Sequence, residues 1–452
     1  MILLVALLLQ GLSLFLLRQQ LFGTWLQRLF PLMVIAATVY HGLSEVIMLS
    51  PAVFEASLSR DGIEPYDAHL AALAISGGIF TATLAYLVAL GSKGRHAQPT
   101  TAGVADALRV LDWRVLLVVL IPLAAATYAG GGYASGQALD SRSQGTLQLL
   151  ASQFFLVFFV LTTFAFVARF GGRLTLPALG VQSLLMAAVG QRLEIIISAV
   201  AVIVLLSLIG IRPRARQLIA AGIIGTFLIL TIGTVRATAG REVFYSDTGI
   251  AERISVVAGA LARNGIETST GDSYVAQAAA RLDANELSGY VMRGFESGQR
   301  PLGWGGVVRS LEVVVPSALN PDKLANNGTD LSAKEEIRDQ FGRPSLDTLP
   351  GHFGLYLGFV GPWGLLVLLA GFGVAFALAE RWLFRKMTAA RLVWFALLLL
   401  GALFYEKGIP SLLALLRYGI PLGLTAWAAQ HFLPRLSSAA RPAVRARVPA
   451  RR

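Results

Sequence analysis

Leu193-Glu194-Ile195-Ile196-Ile197-Ser198-Ala199-Val200-Ala201-Val202-Ile203-Val204-Leu205-Leu206-Ser207-Leu208-Ile209-Gly210-Ile211, closed at once by Arg212-Pro213-Arg214-Ala215-Arg216, decides the fold. The run carries one charge, Glu194, at its first turn. As an α-helix rising 1.5 Å per residue it reaches about 28 Å, close to the ~30 Å of a bilayer's hydrocarbon core. The arginines at its end are the residues that membrane insertion holds on the cytoplasmic side. An apolar run closed by a basic turn is the repeating unit of the chain.

Working outward, hydropathy predicts about eleven spans: 1–17, 29–50, 70–91, 115–134, 147–168, 174–190, 193–211, 218–235, 351–379, 390–409 and 411–433. Hydrophobic residues make up 55% of the 452 positions and charged ones 14%, against roughly 25% charged in soluble domains. The expected fold class is all-α, a polytopic transmembrane helical bundle with one large helix-containing external loop. The chain divides into an N-terminal transmembrane region of about eight spans (1–235), a periplasmic loop domain (236–350), a C-terminal transmembrane region of about three spans (351–433) and a basic cytoplasmic tail (434–452). The first run opens Met1-Ile2-Leu3-Leu4 with no basic residue before it, and Arg18 and Arg28 follow. That pattern predicts a retained helix with its N-terminus outside.

Charge sorts between alternate loops. The segments predicted to be cytoplasmic include Arg18 and Arg28; Lys93, Arg95, Arg109 and Arg114; Arg169 and Arg173; Arg212 to Arg216; Arg381 to Arg391; and the tail arginines. They hold 21 basic residues and three acids, Asp106, Asp112 and Glu380. The bias places the C-terminus inside and the 236–350 loop outside. The net charge of +12 is spread over short interhelical turns, which excludes a folded nucleic-acid-binding face. With no cysteine, the loop has neither disulfides nor thiolates.

A segment this long is too large for a passive connector. Ile250, Ile254, Val257 and Leu261 share one helical face. A second helix is expected after Asp272, running toward Tyr290, and Ser332-Ala333-Lys334-Glu335 reads as a capping box opening a third. A glycine-rich stretch, Gly294 to Gly306, lies between them and contains Arg300, Pro301 and Trp304. The helices are expected to lid a cavity in the membrane domain.

There is no GxxxxGK[ST] loop, no HExxH and no GxSxG elbow, and the five histidines are scattered. Asn327-Gly328-Thr329 matches a glycosylation acceptor, meaningful only in a glycosylating host. Charges at membrane depth are better clues. Glu45 falls in the second span, Arg192 and Glu194 in a tight turn, Glu406 and Lys407 in another, and Arg417 in the last span. Most lie near the external interface, where a lipid-linked head group would sit. Arginine suits such a head group, because its planar fork binds phosphate oxygens bidentately and stays charged when partly buried.

Several stretches resemble the bacterial O-antigen (Wzy-type) oligosaccharide-repeat-unit polymerases. They are the turn Gly190–Glu194, the basic turn Arg212–Arg216, Arg281-Leu282-Asp283, Val315-Pro316-Ser317-Ala318-Leu319-Asn320-Pro321-Asp322-Lys323, and the re-entry from Gly351-His352-Phe353-Gly354 to Gly361-Pro362-Trp363-Gly364. The likeness covers roughly 185–375, with Ser317 standing where the family often has an arginine. It implies a metal-independent membrane glycosyltransferase of GT-C type without cofactors. Such an enzyme transfers a polyprenyl-diphosphate-linked glycan onto another lipid-linked repeat in surface polysaccharide synthesis. By the same resemblance Arg192, Arg281, Lys323 and His352 match family positions; Arg192 and Arg281 are expected to contact the diphosphate with Arg293 or Lys323 assisting, and His352, or its rival Glu194, to be the base. Tyr356 and Trp304 are candidates for stacking on a sugar, with packing of the glycine-rich re-entry the competing role for that segment. The expected location is the bacterial inner membrane, with a chain-length regulator and a flippase as partners. Two other readings remain: an O-antigen ligase, and a lipid-linked oligosaccharide transporter without catalysis.

Overall fold

A computed structural model describes residues 1–21, 24–50, 64–95, 97, 101–129, 146–188, 193–211, 214–225, 255, 259, 284–312, 330–342, 351–405, 413, 419–428 and 431. These are all-helical, with no strand among the described residues. In chain order the helices are α1 (Ile2–Gln20), α2 (Leu29–Ile47), α3 (Pro65–Arg95), α4 (Thr101–Val110), α5 (Trp113–Ala129), α6 (Thr146–Phe170), α7 (Thr175–Ala188), α8 (Leu193–Leu208) and α9 (Ala215–Gly225). After these come α10 (Asn285–Glu296), α11 (Gly305–Glu312), α12 (Asp330–Phe341), α13 (Gly351–Arg385) and α14 (Ala389–Leu403).

Among the described residues, four helices are long and apolar enough to cross a membrane: Ile2–Gln20, Leu29–Ile47, Pro65–Ser92 and Phe353–Arg385. Shorter apolar helices occupy Trp113–Ala125, Phe154–Phe170, Glu194–Leu208, Ala215–Gly225 and Ala389–Leu403. Their outward faces are unlike those of a soluble bundle. Helix α1 buries Ala6, Gln10, Ser13 and Leu17 and exposes Leu4, Leu8, Leu12 and Phe15. Helix α13 exposes Trp363, Val367, Val374, Leu378 and Trp382 while burying Leu365, Leu369, Phe376 and Leu383. Exposed apolar stripes of this length carry a large hydration cost in water and none in hydrocarbon.

The centre is α3 packed along α13, with α1 and α2 against them. Close approach depends on glycine. A Cβ on Gly373 would meet the Ala82 carbonyl oxygen, and one on Gly78 would meet Leu369. Small residues let backbones touch where no hydrophobic driving force separates helix from lipid.

Five of the basic segments meet at one end of this bundle. Arg95 Nη1 donates to Gln20 Oε1 (2.5 Å), Arg28 Nη2 to the carbonyls of Gly94 and Arg95 (both 3.0 Å), and Arg381 Nη1 to the Ala89 carbonyl (3.3 Å). Gln27 Nε2 donates to the Ser207 carbonyl (3.1 Å) at the foot of α8, and Gln217 Nε2 to the Gly172 carbonyl (3.5 Å) in the Arg169–Arg173 turn. Within this end, Arg28 and Glu380 form a fully buried pair (3.3 Å). Tyr86 donates to Glu380 Oε2 (2.6 Å) and the Phe30 amide to Oε1 (3.0 Å), so the carboxylate of α13 is held by three donors from the start of α2 and from α3.

Helices α10, α11 and α12 sit at the other end, and two interruptions of long helices receive them. In α13, Gly361 takes φ +70° and Pro362 follows. Proline has no N–H, and a break in the ladder strands carbonyls one turn earlier. The carbonyls of Gly358 and Phe359 are taken by the amides of Leu302 (3.1 Å) and Gly303 (2.7 Å) from the glycine-rich stretch. In α2, residues Val39–Leu43 form a wide π-turn, whose Tyr40 and His41 carbonyls accept from the Ala284 amide (3.3 Å) and Asn285 Nδ2 (3.1 Å). Irregular backbone in a membrane domain persists where protein satisfies it.

The expected loop helices are shifted. The second extends through Glu296, beyond Tyr290, because Val291 and Gly294 are buried in its interface. Its predicted start after Asp272 lies outside the described residues, as does the face Ile250–Leu261 apart from 255 and 259. The third begins at Asp330, two residues before Ser332.

Candidate functional site

Beneath the N-terminus of α10 lies a buried polar cluster built by α2, α3 and α10. His41 and Glu45 are four residues apart on α2, hence one above the other on one face. Asn285, the first residue of α10, reaches both: its Oδ1 lies 2.6 Å from His41 Nδ1, and its Nδ2 donates to Glu45 Oε1 (2.9 Å). Glu45 is 1% exposed, and its second oxygen faces His69 Nε2 at 3.6 Å; His69, on the second turn of α3, is 22% exposed. The cluster thus runs from the fully buried His41 to a histidine at the surface. π-turns recur at functional sites, and this one carries His41.

Aromatic rings wall the cluster. Tyr405 packs edge-on to His41 (5.5 Å) and to Phe353 (5.6 Å) and stacks on Tyr40 (5.6 Å). Beside His69, Asp67 is buried and feels both the repulsion of Glu64 and the attraction of Arg293 across on α10. Tyr290 packs on Ala68, and Glu286 is buried in the first turn of α10. Arg293 lies two turns beyond Asn285, about 12 Å along the helix, and is exposed.

The residues singled out from sequence fall in three groups. Arg293 borders this cluster. Glu194 is buried in the first turn of α8, which packs on α6, α7 and α14, where a carboxylate complements the helix dipole. Tyr356 is 2% exposed with its ring against Phe359, while Trp304 is 49% exposed at the foot of α11. Arg192, Arg281 and Lys323 lie outside the described residues, as do Glu406, Lys407 and Arg417. His352 is placed only as a backbone position in the first turn of α13, next to Phe353. The glycines of the re-entry are packing positions: a Cβ on Gly354 would lie 2.7 Å from Ser288 Oγ, one on Gly358 3.1 Å from Ile337, and one on Gly361 3.0 Å from Pro301. Those contacts bind α13 to α10, α12 and the glycine-rich stretch.

Sequence reasoning missed His41, His69 and Asn285. The one available signal was Glu45, an acid within an apolar run. The chain matches no protein-family model, no curated protein and no solved structure.

Proposed function

We propose that this is a membrane glycosyltransferase of about eleven spans that polymerises polyprenyl-diphosphate-linked oligosaccharide repeat units at the periplasmic face of a bacterial inner membrane. The observation that carries the reading is α10. One helix ties a buried, proton-accepting cluster at Asn285 to an exposed guanidinium at Arg293, at the end of the bundle opposite the basic turns.

The chemistry asks for two functions at that distance. The acceptor hydroxyl must lose a proton as its oxygen attacks the donor's anomeric carbon, and the bond to the diphosphate must break with its electron pair leaving to phosphate oxygen. Positioned cations stabilise that developing charge. Arg192 and Arg281, with Arg293 or Lys323, are the proposed diphosphate contacts, and the sequence offers His352 or Glu194 as a base. Trp304 is accessible to a sugar ring, whereas Tyr356 is buried.

Depth argues against a transporter. Glu45 follows Arg28 by 17 residues on a nearly continuous helix, about 26 Å along the axis. The cluster therefore lies near one interface rather than at the midplane, where transporters bind substrate.

The test is deletion of the gene followed by sizing of the surface glycan. Polymerisation predicts loss of the ladder with single repeats retained, restored by the intact gene. An unchanged ladder rejects it, and loss of attachment to the lipid A core with polymer retained assigns a ligase instead.

A further inference from the structure

We infer that His69, oriented by Glu45, is the proton acceptor for the incoming sugar hydroxyl; the inference rests on the polymerase reading above. Neither His352 nor Glu194 was suggested by geometry. His69 is.

A general base needs a titrating group within reach of substrate, an oriented ring, and a counter-charge that stabilises the imidazolium once formed. His69 meets the first with its partial exposure beside Arg293's helix. Glu45 supplies the other two. Its Oε2 faces His69 Nε2, and its Oε1 is fixed by Asn285, which is fixed in turn by His41 through both its side chain and its carbonyl. Two contacts hold Asn285's amide in one orientation, so its NH2 is committed to the carboxylate side. The 3.6 Å separation is at ion-pair distance and is expected to shorten when the ring gains charge.

The step balances as follows. With the proton on Nε2 directed at Glu45, Nδ1 takes the acceptor's hydroxyl proton. The freed oxygen forms the new bond to the donor's anomeric carbon. The bond from that carbon to the diphosphate oxygen breaks, and polyprenyl diphosphate leaves as an anion toward Arg293. The imidazolium then releases its proton to water.

Glu45 and Asn285 are positioning residues in this scheme. Asn285 opens α10 and holds Glu45 Oε1 beside the π-turn. The same helix carries Arg293, so one element positions both the carboxylate behind the base and the leaving-group cation.

The experiment uses the full-length protein in proteoliposomes supplied with polyprenyl-diphosphate-linked repeats extracted from cells lacking the gene. His69→Gln is expected to lower turnover by about 100-fold or more, within the range of general-base catalysis, with KM for the lipid-linked unit nearly unchanged. Glu45→Gln should keep the Asn285 contact and lose a smaller factor in turnover. His69→Ala should regain activity with added imidazole. Normal turnover by His69→Gln overturns the proposal, as does a loss confined to KM, or failure of imidazole to rescue a folded His69→Ala protein. If His69 variants do not fold, Glu45→Gln decides alone: unchanged turnover rejects the dyad. Failure of the wild-type protein to make any ladder would instead reject the polymerase reading, so the two failures are separable. A loss of about 100-fold in His352→Gln or Glu194→Gln in the same vesicles, with His69→Gln active, would overturn the proposal and move the base there.

Discussion

Arg28 and Glu380 are both fully enclosed, and neither is near the candidate site. Their attraction offsets a desolvation cost that each alone would leave uncompensated. Glu380→Gln therefore strands a buried guanidinium and is expected to destabilise the protein by about 3–5 kcal/mol, read as a lowered unfolding midpoint in detergent. Replacing both by apolar residues of similar volume should recover much of that loss. If Glu380→Gln unfolds like the wild type, the pair is not a structural latch. Arg293 obeys a different rule, because it is exposed and its proposed partner is a diphosphate. Lysine keeps the charge but not the planar fork. Arg293→Ala and Arg293→Lys should both reduce polymer synthesis in vesicles, with Lys rescuing poorly, and both should fold normally. Full activity of the alanine variant would remove Arg293 from the site.

Among the elements, α13 carries two jobs on two segments. Before Gly361 its glycine face receives the loop helices; after Pro362 it packs on α3. Gly371 and Gly373 make a controlled comparison within the second segment. A Cβ on Gly373 would strike the backbone of α3 at Ala82, whereas one on Gly371 meets nothing within 4 Å. Gly373→Val should sharply reduce the yield of monodisperse protein, and Gly371→Val should leave it unchanged; equal behaviour would contradict the α3–α13 packing. The loop's attachment has the same logic in hydrogen bonds. Carbonyls freed at the π-turn of α2 and at the Pro362 kink are taken by Ala284, Asn285, Leu302 and Gly303. Helix boundaries such as the late end of α10 were not readable from spacing, because they follow from what packs beneath Val291 and Gly294.

At the scale of the whole molecule, the apolar runs and their basic turns were legible because each is a local property of consecutive residues. The meeting of Arg28, Arg95, Glu380 and Arg381 at one end follows because α2 starts where α3 and α13, running parallel to each other, both end. The candidate site was not legible. His41 and His69 are 28 positions apart, and Asn285 lies more than 200 further on. No periodicity links them, and only the docking of α10 on the π-turn joins them. The end bearing α10 and the polar cluster is the one proposed to face the periplasm. The chain has no cysteine, so a single introduced thiol reports without background. Ser297→Cys, exposed just past the end of α10, is the most direct probe. In intact spheroplasts it is expected to react with a membrane-impermeant maleimide, while Lys386→Cys at the basic end reacts only after permeabilisation. Labelling of Ser297→Cys only after permeabilisation would contradict the account.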